Sequence, residues 1–370
     1  MPASDEKRDP RQPGGVRKHQ RILQEIVEEE EAAAPELSLD WMQHNLEWGV
    51  KVEPGKKGLT LGSLNVGIYG EIPEYHEDRT RALRGAYPGE ERPFIANINL
   101  RHKRELWADN AADLYEEAIQ KRWVPATDIP WDTIEPLPED VERAMCQLCT
   151  ELCQQANVEY ETVASWIEQM SYGYHEVKVF LASEVFDAAR HFDVFRKRAL
   201  SNGGGLGLES RAEVDRVILQ SKNDWTSTSL FLHVLRGSFT QTLYRYGELY
   251  AHNPAEKAMF ARCLQDKARH LTYSLAHIKY SFSQQPGKER VFQRVLSIAE
   301  SQMVRDLKDP VLPESLGVIM GHGVEGVRTG MRRVGHLLGD FVRTYLGNAR
   351  YVELDRSDKL AEGLAVYRDL

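Results

Sequence analysis

The chain has 370 residues, 42% of them hydrophobic and 28% charged, a globular composition with room for a large buried core. A net charge of −9 argues against a general nucleic-acid or anionic-membrane binder, since both need a basic face. Four cysteines make no disulfide framework, the opening MPASDEKRDPRQPGG has no signal-peptide core, and no run reaches the ~18 apolar residues of a membrane helix, so a cytoplasmic location is expected.

Residues 1–40 hold ten acidic and six basic residues, including EEEE at 28–31. They read as an acidic, disordered arm with a short helix around 20–34. Residues 41–137 read as an irregular extension. GLTLGSLNVGIYG at 58–70 suits loops or a short hairpin. A helix is expected over 100–122, then a Pro-rich connector over 124–138 that packs Ile129 and Trp131 inward.

From residue 138 the text is helical almost throughout. Pro138, Glu139 and Asp140 make a good helix start. Helices are expected at 138–157, 159–171, 174–201, 211–221, 225–251, 255–283, 287–307 and 314–348. Asn202 and the glycines at 203–205 stop one of them, and Asn253-Pro254 separates two others. The expected architecture is all-α: a bundle over 138–285, additional helices over 286–350 and a tail over 351–370.

Two segments repeat each other. Asp187-Ala188-Ala189-Arg190-His191 and Asp266-Lys267-Ala268-Arg269-His270 each lie inside a long predicted helix. The pair resembles the repeated D-E-A-R-H motif of the ferritin-like di-iron carboxylate proteins, which include the ribonucleotide reductase small subunit, bacterial multicomponent monooxygenases and aminobenzoate N-oxygenases. The strings Ile129-Pro130-Trp131-Asp132-Thr133 and 195–207 (FRKRALSNGGGLG) resemble the same superfamily. The resemblance spans about residues 100–285 and implies a ferritin-like four-helix bundle. In that superfamily each repeat supplies one Glu from one helix and an E-x-x-H pair from the next. Positions i and i+3 share a helix face, so Glu and His reach the same metal ion.

This chain departs from the pattern at the ligands. The E of E-x-x-H is Ala188 in the first copy and Lys267 in the second; neither serves as a carboxylate. Relatives carry Gly-Glu-Gly in the window before the second copy, which sets Arg236 in the third ligand position. Glu159 is the matching glutamate of the first repeat. Glu184, two turns before His191 on one face, adds a second carboxylate. Two acids and two bases sum to zero without a metal, so a buried ion-pair and histidine network is expected in place of a standard di-iron centre. His191, His270, Glu159 and Glu184 are thus vestigial or atypical metal ligands. Asp187, Asp266, Arg190 and Arg269 are their supports, because relatives use this Asp to orient a ligand histidine.

The resemblance implies three alternative functions. The first is a metal-free scaffold that binds a partner subunit or a small apolar ligand. The second is an oxidoreductase working through a modified tyrosine, with Tyr160, Tyr244 and Tyr273 as candidates. The third is a mononuclear or shifted site for iron or manganese on His191, His270, Glu184 and Glu159, which His233 or His175 also joins. The resemblance further implies a homodimer or a subunit of an oxygenase-like complex.

Weaker signals point to structure. Cys146, Cys149 and Cys153 share one helix, and Cys146 and Cys153 stand about 10 Å apart along it, too far to share one ion. They read as buried thiols. The glycines at 203–207 come after a helix and read as a turn, not a phosphate loop. Glycines recurring over 317–339 allow close helix contact. Arg328, Arg332, Arg333 and Arg343 read as a solvated face, with a site for an acidic ligand such as a CoA phosphate as the alternative.

Overall fold

The computed structural model describes residues 20–22, 37–44, 47–77, 81–87 and 97–370. The chain divides into two units, Met1–Trp48 and Gly49–Leu370. In the first, a 3₁₀ turn at Asp40–Gln43 carries an exposed Trp41. Residues 20–22 are helical; the rest of the expected arm helix lies outside the described residues.

The second unit is all-α. Among the described residues no strand forms, only isolated bridges such as Leu100 with Met170. In chain order its helices are α1 (Ala111–Gln120), α2 (Glu139–Ile167), α3 (His175–Ser201), α4 (Glu213–Gln220) and α5 (Trp225–Ser229). A π-turn over Leu230–Arg236 leads without a break into α6 (Gly237–Leu249). Then come α7 (Pro254–Gln284), α8 (Glu289–Leu307), α9 (Val311–Gly321), α10 (Val327–Tyr351) and the short α11 (Glu362–Ala365).

Local chemistry accounts for some boundaries. Asn253 accepts the Glu256 amide at 2.9 Å and Pro254 opens α7, since its missing N–H is not needed there. Asp224 caps α5 through Ser227. Gly203 and Gly205, at φ +80° and +93°, end the run after α3 in a conformation that favours glycine.

Four expectations need correction. The helix over 100–122 is confined to 111–120. Leu100 instead exchanges hydrogen bonds with Gln169 and Ser171, and Leu106 and Trp107 are pulled into the core, so packing overrides propensity. No break occurs near residue 158: α2 runs through, because Val158, Glu159, Thr162 and Val163 are all buried along it. The helix over 225–251 holds the π-turn, and every residue from 225 to 244 is buried. The helix over 314–348 splits at His322 and Gly323, with φ of 57° and 125°. There α9 folds back on α10 so closely that a Cβ on Gly330 would sit 1.8 Å from the Gly317 carbonyl oxygen.

The core lies where α2 packs along α3 and α6 along α7, with α3 also against α7. Leu152 and Val163, Phe180 and Phe195, and Met259 and Phe260 fill it. Phe195 and Phe260 pack with ring centroids 5.8 Å apart. Burying each such ring is worth about 1.5–3 kcal/mol. Aligned along these helices, Glu159, Glu184, Arg236 and His270 are all buried in the same interior.

Candidate metal centre

Helical spacing presents the site residues. On α3, Glu184, Asp187 and His191 lie at i, i+3 and i+7; on α7, Asp266, Lys267 and His270 share one face. The π-turn adds a residue to one helical turn and so rotates α6 about its axis. Both His233 and Arg236 of that turn are 3% exposed.

Each motif's aspartate supports the histidine of the other. Asp187, of the first, accepts from His270 Nε2 at 3.2 Å; Asp266, of the second, accepts from His191 Nε2 at 3.1 Å. Arg190 contacts Asp187 and reaches Asp266 at 3.1 Å; Arg269 contacts Asp266 and reaches Asp187 at 3.0 Å. Trp123 adds an indole N–H to Asp266 at 2.8 Å, and the Arg190 guanidinium lies 4.8 Å from the Trp123 ring centre. Burial by itself raises both aspartates. The histidine hydrogen bonds and guanidinium charges outweigh it and hold both below the usual carboxylate range.

An ionised, arginine-paired aspartate only accepts hydrogen bonds. Asp187 therefore keeps a proton on His270 Nε2 and turns Nδ1 toward the centre. That Nδ1 stands 3.0 Å from Glu159 Oε1 and 4.0 Å from Glu184 Oε1. His191 behaves differently. Burial opposes its charge, but Cys263 and Asp266 outweigh burial and push it up to about 10.

The substituted positions are cations on Glu159. Lys267 contacts this carboxylate, and Arg236 approaches it at 3.5 Å while pairing with Asp215 and donating to the Gln155 carbonyl at 2.8 Å. Burial pulls the Lys267 ammonium down to about 7, and the touching carboxylate works in the opposite direction. Ala188 is fully buried and contributes only its methyl group.

Glu184 is fully buried, and neither carboxylate oxygen has a hydrogen-bond partner. Burial raises it to about 7. Its Oε1 lies 3.3 Å from His233 Nε2, which has no hydrogen-bond partner either. Burial, then the nearby His270 and Arg236, hold His233 well below its ordinary value. Among the described residues, Glu159, Glu184 and His270 form the group whose donor atoms converge within 4.8 Å of one another. Two carboxylates and an imidazole fit Fe²⁺, Mn²⁺ or Zn²⁺. The orphaned oxygens of Glu184 are what such an ion would satisfy.

Other sequence candidates fall elsewhere. The Tyr273 hydroxyl donates to the Leu106 carbonyl at 2.7 Å and accepts from the Trp225 indole at 3.1 Å. Tyr244 is buried edge-on to His191, at 6.2 Å between ring centres, while Tyr160 is half-buried. His175 lies beside Glu176 at 3.6 Å. All four cysteines are buried and unbridged, with burial raising their thiols. Arg333 bonds the Met320 carbonyl, and Arg343 pairs with Asp340. Trp123, Asp215 and Cys263 carry no motif in the sequence, and nothing in it signals the π-turn.

No helix among the described residues is long and apolar enough to cross a membrane. A scan of the chain against protein-family models finds no match. A search of curated proteins finds none either.

Proposed function

We propose that this chain is a ferritin-like bundle protein of di-iron carboxylate descent that has replaced the two-metal centre with a single atypical site, and that it works as an oxidoreductase. The observation that carries the reading is Glu184: a fully buried carboxylate with no hydrogen-bond partner on either oxygen, 4.0 Å from the nitrogen that Asp187 turns inward on His270. The repeated D-x-x-R-H motif and its crossed Asp–His support favour the descent. Glu159, Glu184 and His270 would hold the ion, iron or manganese by the resemblance. Bound there, it would supply redox or Lewis-acid chemistry in a buried, low-dielectric interior. The chain's own residues act on the site in two directions: Asp187 fixes the His270 tautomer, whereas Arg236 and Lys267 already offset the Glu159 charge that an ion would need.

A second reading is favoured by one observation. Glu159 already has Lys267 and Arg236 beside it, which neutralises it with no metal. On that reading the protein is a metal-free scaffold or the partner subunit of an oxygenase-like complex. Metal analysis of protein expressed with iron and manganese supplied separates the two. About one metal ion per chain, lost in Glu184→Gln, supports the single site. None supports the scaffold. About two would mean a standard centre and overturn both.

A further inference from the structure

We propose that the outward face of α3 is a docking groove for an acidic amphipathic helix of a partner protein. The inference is independent of whether the buried centre holds a metal ion.

A helix that meets solvent keeps its outer stripe polar. Helix α3 departs from that. Its inner side sets Leu181, Val194 and Phe195 in the core. Its outer stripe carries Phe186 and Leu200, each 52% exposed, with the exposed Ala189 between them. At 3.6 residues per turn, positions 186, 189, 193, 196 and 200 fall within a stripe about 80° wide. Exposed apolar side chains scattered singly need no account, but these share one depression. The segment over 122–131 forms its second wall. Val124 and Pro125 line a hollow of about 340 Å³ with Phe186 and Ala189, and Ala126 and Trp131 line another of about 480 Å³ with Leu200. Asp193 borders both, so the two are continuous. From Phe186 to Leu200 the groove follows α3 for about 21 Å, the length of about four turns of a docked helix. The first hollow is closed beneath by Trp123 and Arg190, which hold Asp266 and Asp187 on the inside.

Charge decides the occupant. Lys197 pairs with Asp193. That leaves Arg122 at the first hollow and Arg196 at the second, both exposed and neither guanidinium with a partner among the described residues. On a chain of net charge −9, an apolar groove with an unpaired cation at each hollow complements an apolar helix face flanked by carboxylates. Cations at two places along the groove favour a peptide, which presents several acids, over an amphiphile with one charged head.

Fluorescence anisotropy of the full-length protein with a labelled helical peptide of about sixteen residues, Leu on one face and Glu along its flanks, tests this. Saturable one-to-one binding is expected. Phe186→Asp and Leu200→Asp should each weaken it at least tenfold, because each removes an apolar contact and puts a like charge in its place. Arg122→Gln combined with Arg196→Gln should weaken it at least fivefold, and the same peptide with Lys for Glu should bind at least tenfold more weakly than the Glu peptide. All four side chains are exposed, so the thermal transitions of these variants should match the wild type and separate lost docking from lost folding. No saturable binding of the Glu peptide, equal binding of the Lys peptide, or unchanged affinity in all the variants overturns the proposal. Dodecanoate that binds the wild type but not Phe186→Asp, with no binding of the peptide, also overturns it and makes the groove a site for an amphiphile.

Discussion

Asp266 accepts from His191 and Trp123 and stands against Arg190 and Arg269, all of them buried. Asp266→Asn keeps the shape but removes the charge that two buried guanidiniums share. Breaking such a pair costs about 3–5 kcal/mol. Urea unfolding should show a loss of that size, and one below about 1 kcal/mol would mean the arginines find other partners. Asp187→Asn should not add to it independently, because both aspartates serve the same arginines. His277 gives a pH signature. Its Nδ1 lies 3.2 Å from the Trp107 carbonyl, so the proton sits there and Nε2 accepts from Thr226 at 3.0 Å. Burial lowers its pKa to about 4. An unfolded histidine titrates near about 6.5, so the unfolded chain takes up the proton first. This share of stability, on the order of 3 kcal/mol, is whole above about pH 6.5 and disappears as pH falls through the folded value. Between those limits the wild-type unfolding free energy should fall with a slope about one proton steeper than that of His277→Gln. Equal slopes would remove His277 from the account.

Elements obey packing where local signals are weak. The expected interruption near residue 158 does not form because α2 buries both sides of it. The interruption at 322–323 falls inside a span whose apolar spacing reads as one continuous helix, although the glycines that permit the break are present in the sequence. Those glycines allow close approach: a methyl on Gly330 meets the Gly317 carbonyl at 1.8 Å, while one on Gly347 meets nothing within 4 Å. Gly330 and Gly347, two of the four glycines of α10, therefore predict opposite outcomes. Gly347→Ala should stabilise by about 0.5–1 kcal/mol, since Gly lowers helix stability by that amount relative to Ala. Gly330→Ala should destabilise by about 1–3 kcal/mol as α9 is pushed away. Thermal unfolding of the pair checks both signs.

Over the whole molecule, the residues after α10 belong to the core. Val352, Leu354 and Leu364 are buried, and Arg356, fully buried, pairs with Glu300 at 2.8 Å and donates to Gln293. Removing residues 352–370 exposes apolar surface and leaves Glu300 buried with only the Tyr345 hydroxyl beside it. The truncated chain should lose its cooperative thermal transition or melt at least 10 °C lower, the shift per kcal/mol being about 2–4 °C for 150–250 residues and smaller for a longer chain. A transition within a few degrees of the wild type would show that this segment adds little.

The sequence alone determined the helical class, because apolar residues recur at helical spacing over long runs and Asn253-Pro254 marks a helix start. It also singled out the two D-x-x-R-H motifs and the cations at Arg236 and Lys267, since the identity of a side chain sets its charge and donor atoms. Only the tertiary structure decided which partner each group meets. The crossing of Asp187 to His270 and Asp266 to His191 joins residues about eighty positions apart, and helical periodicity carries no information across that distance. The pairing of Glu184 with His233 was hidden for a further reason. It depends on a π-turn that turns His233 and Arg236 inward together, and a single extra residue per turn leaves no compositional mark.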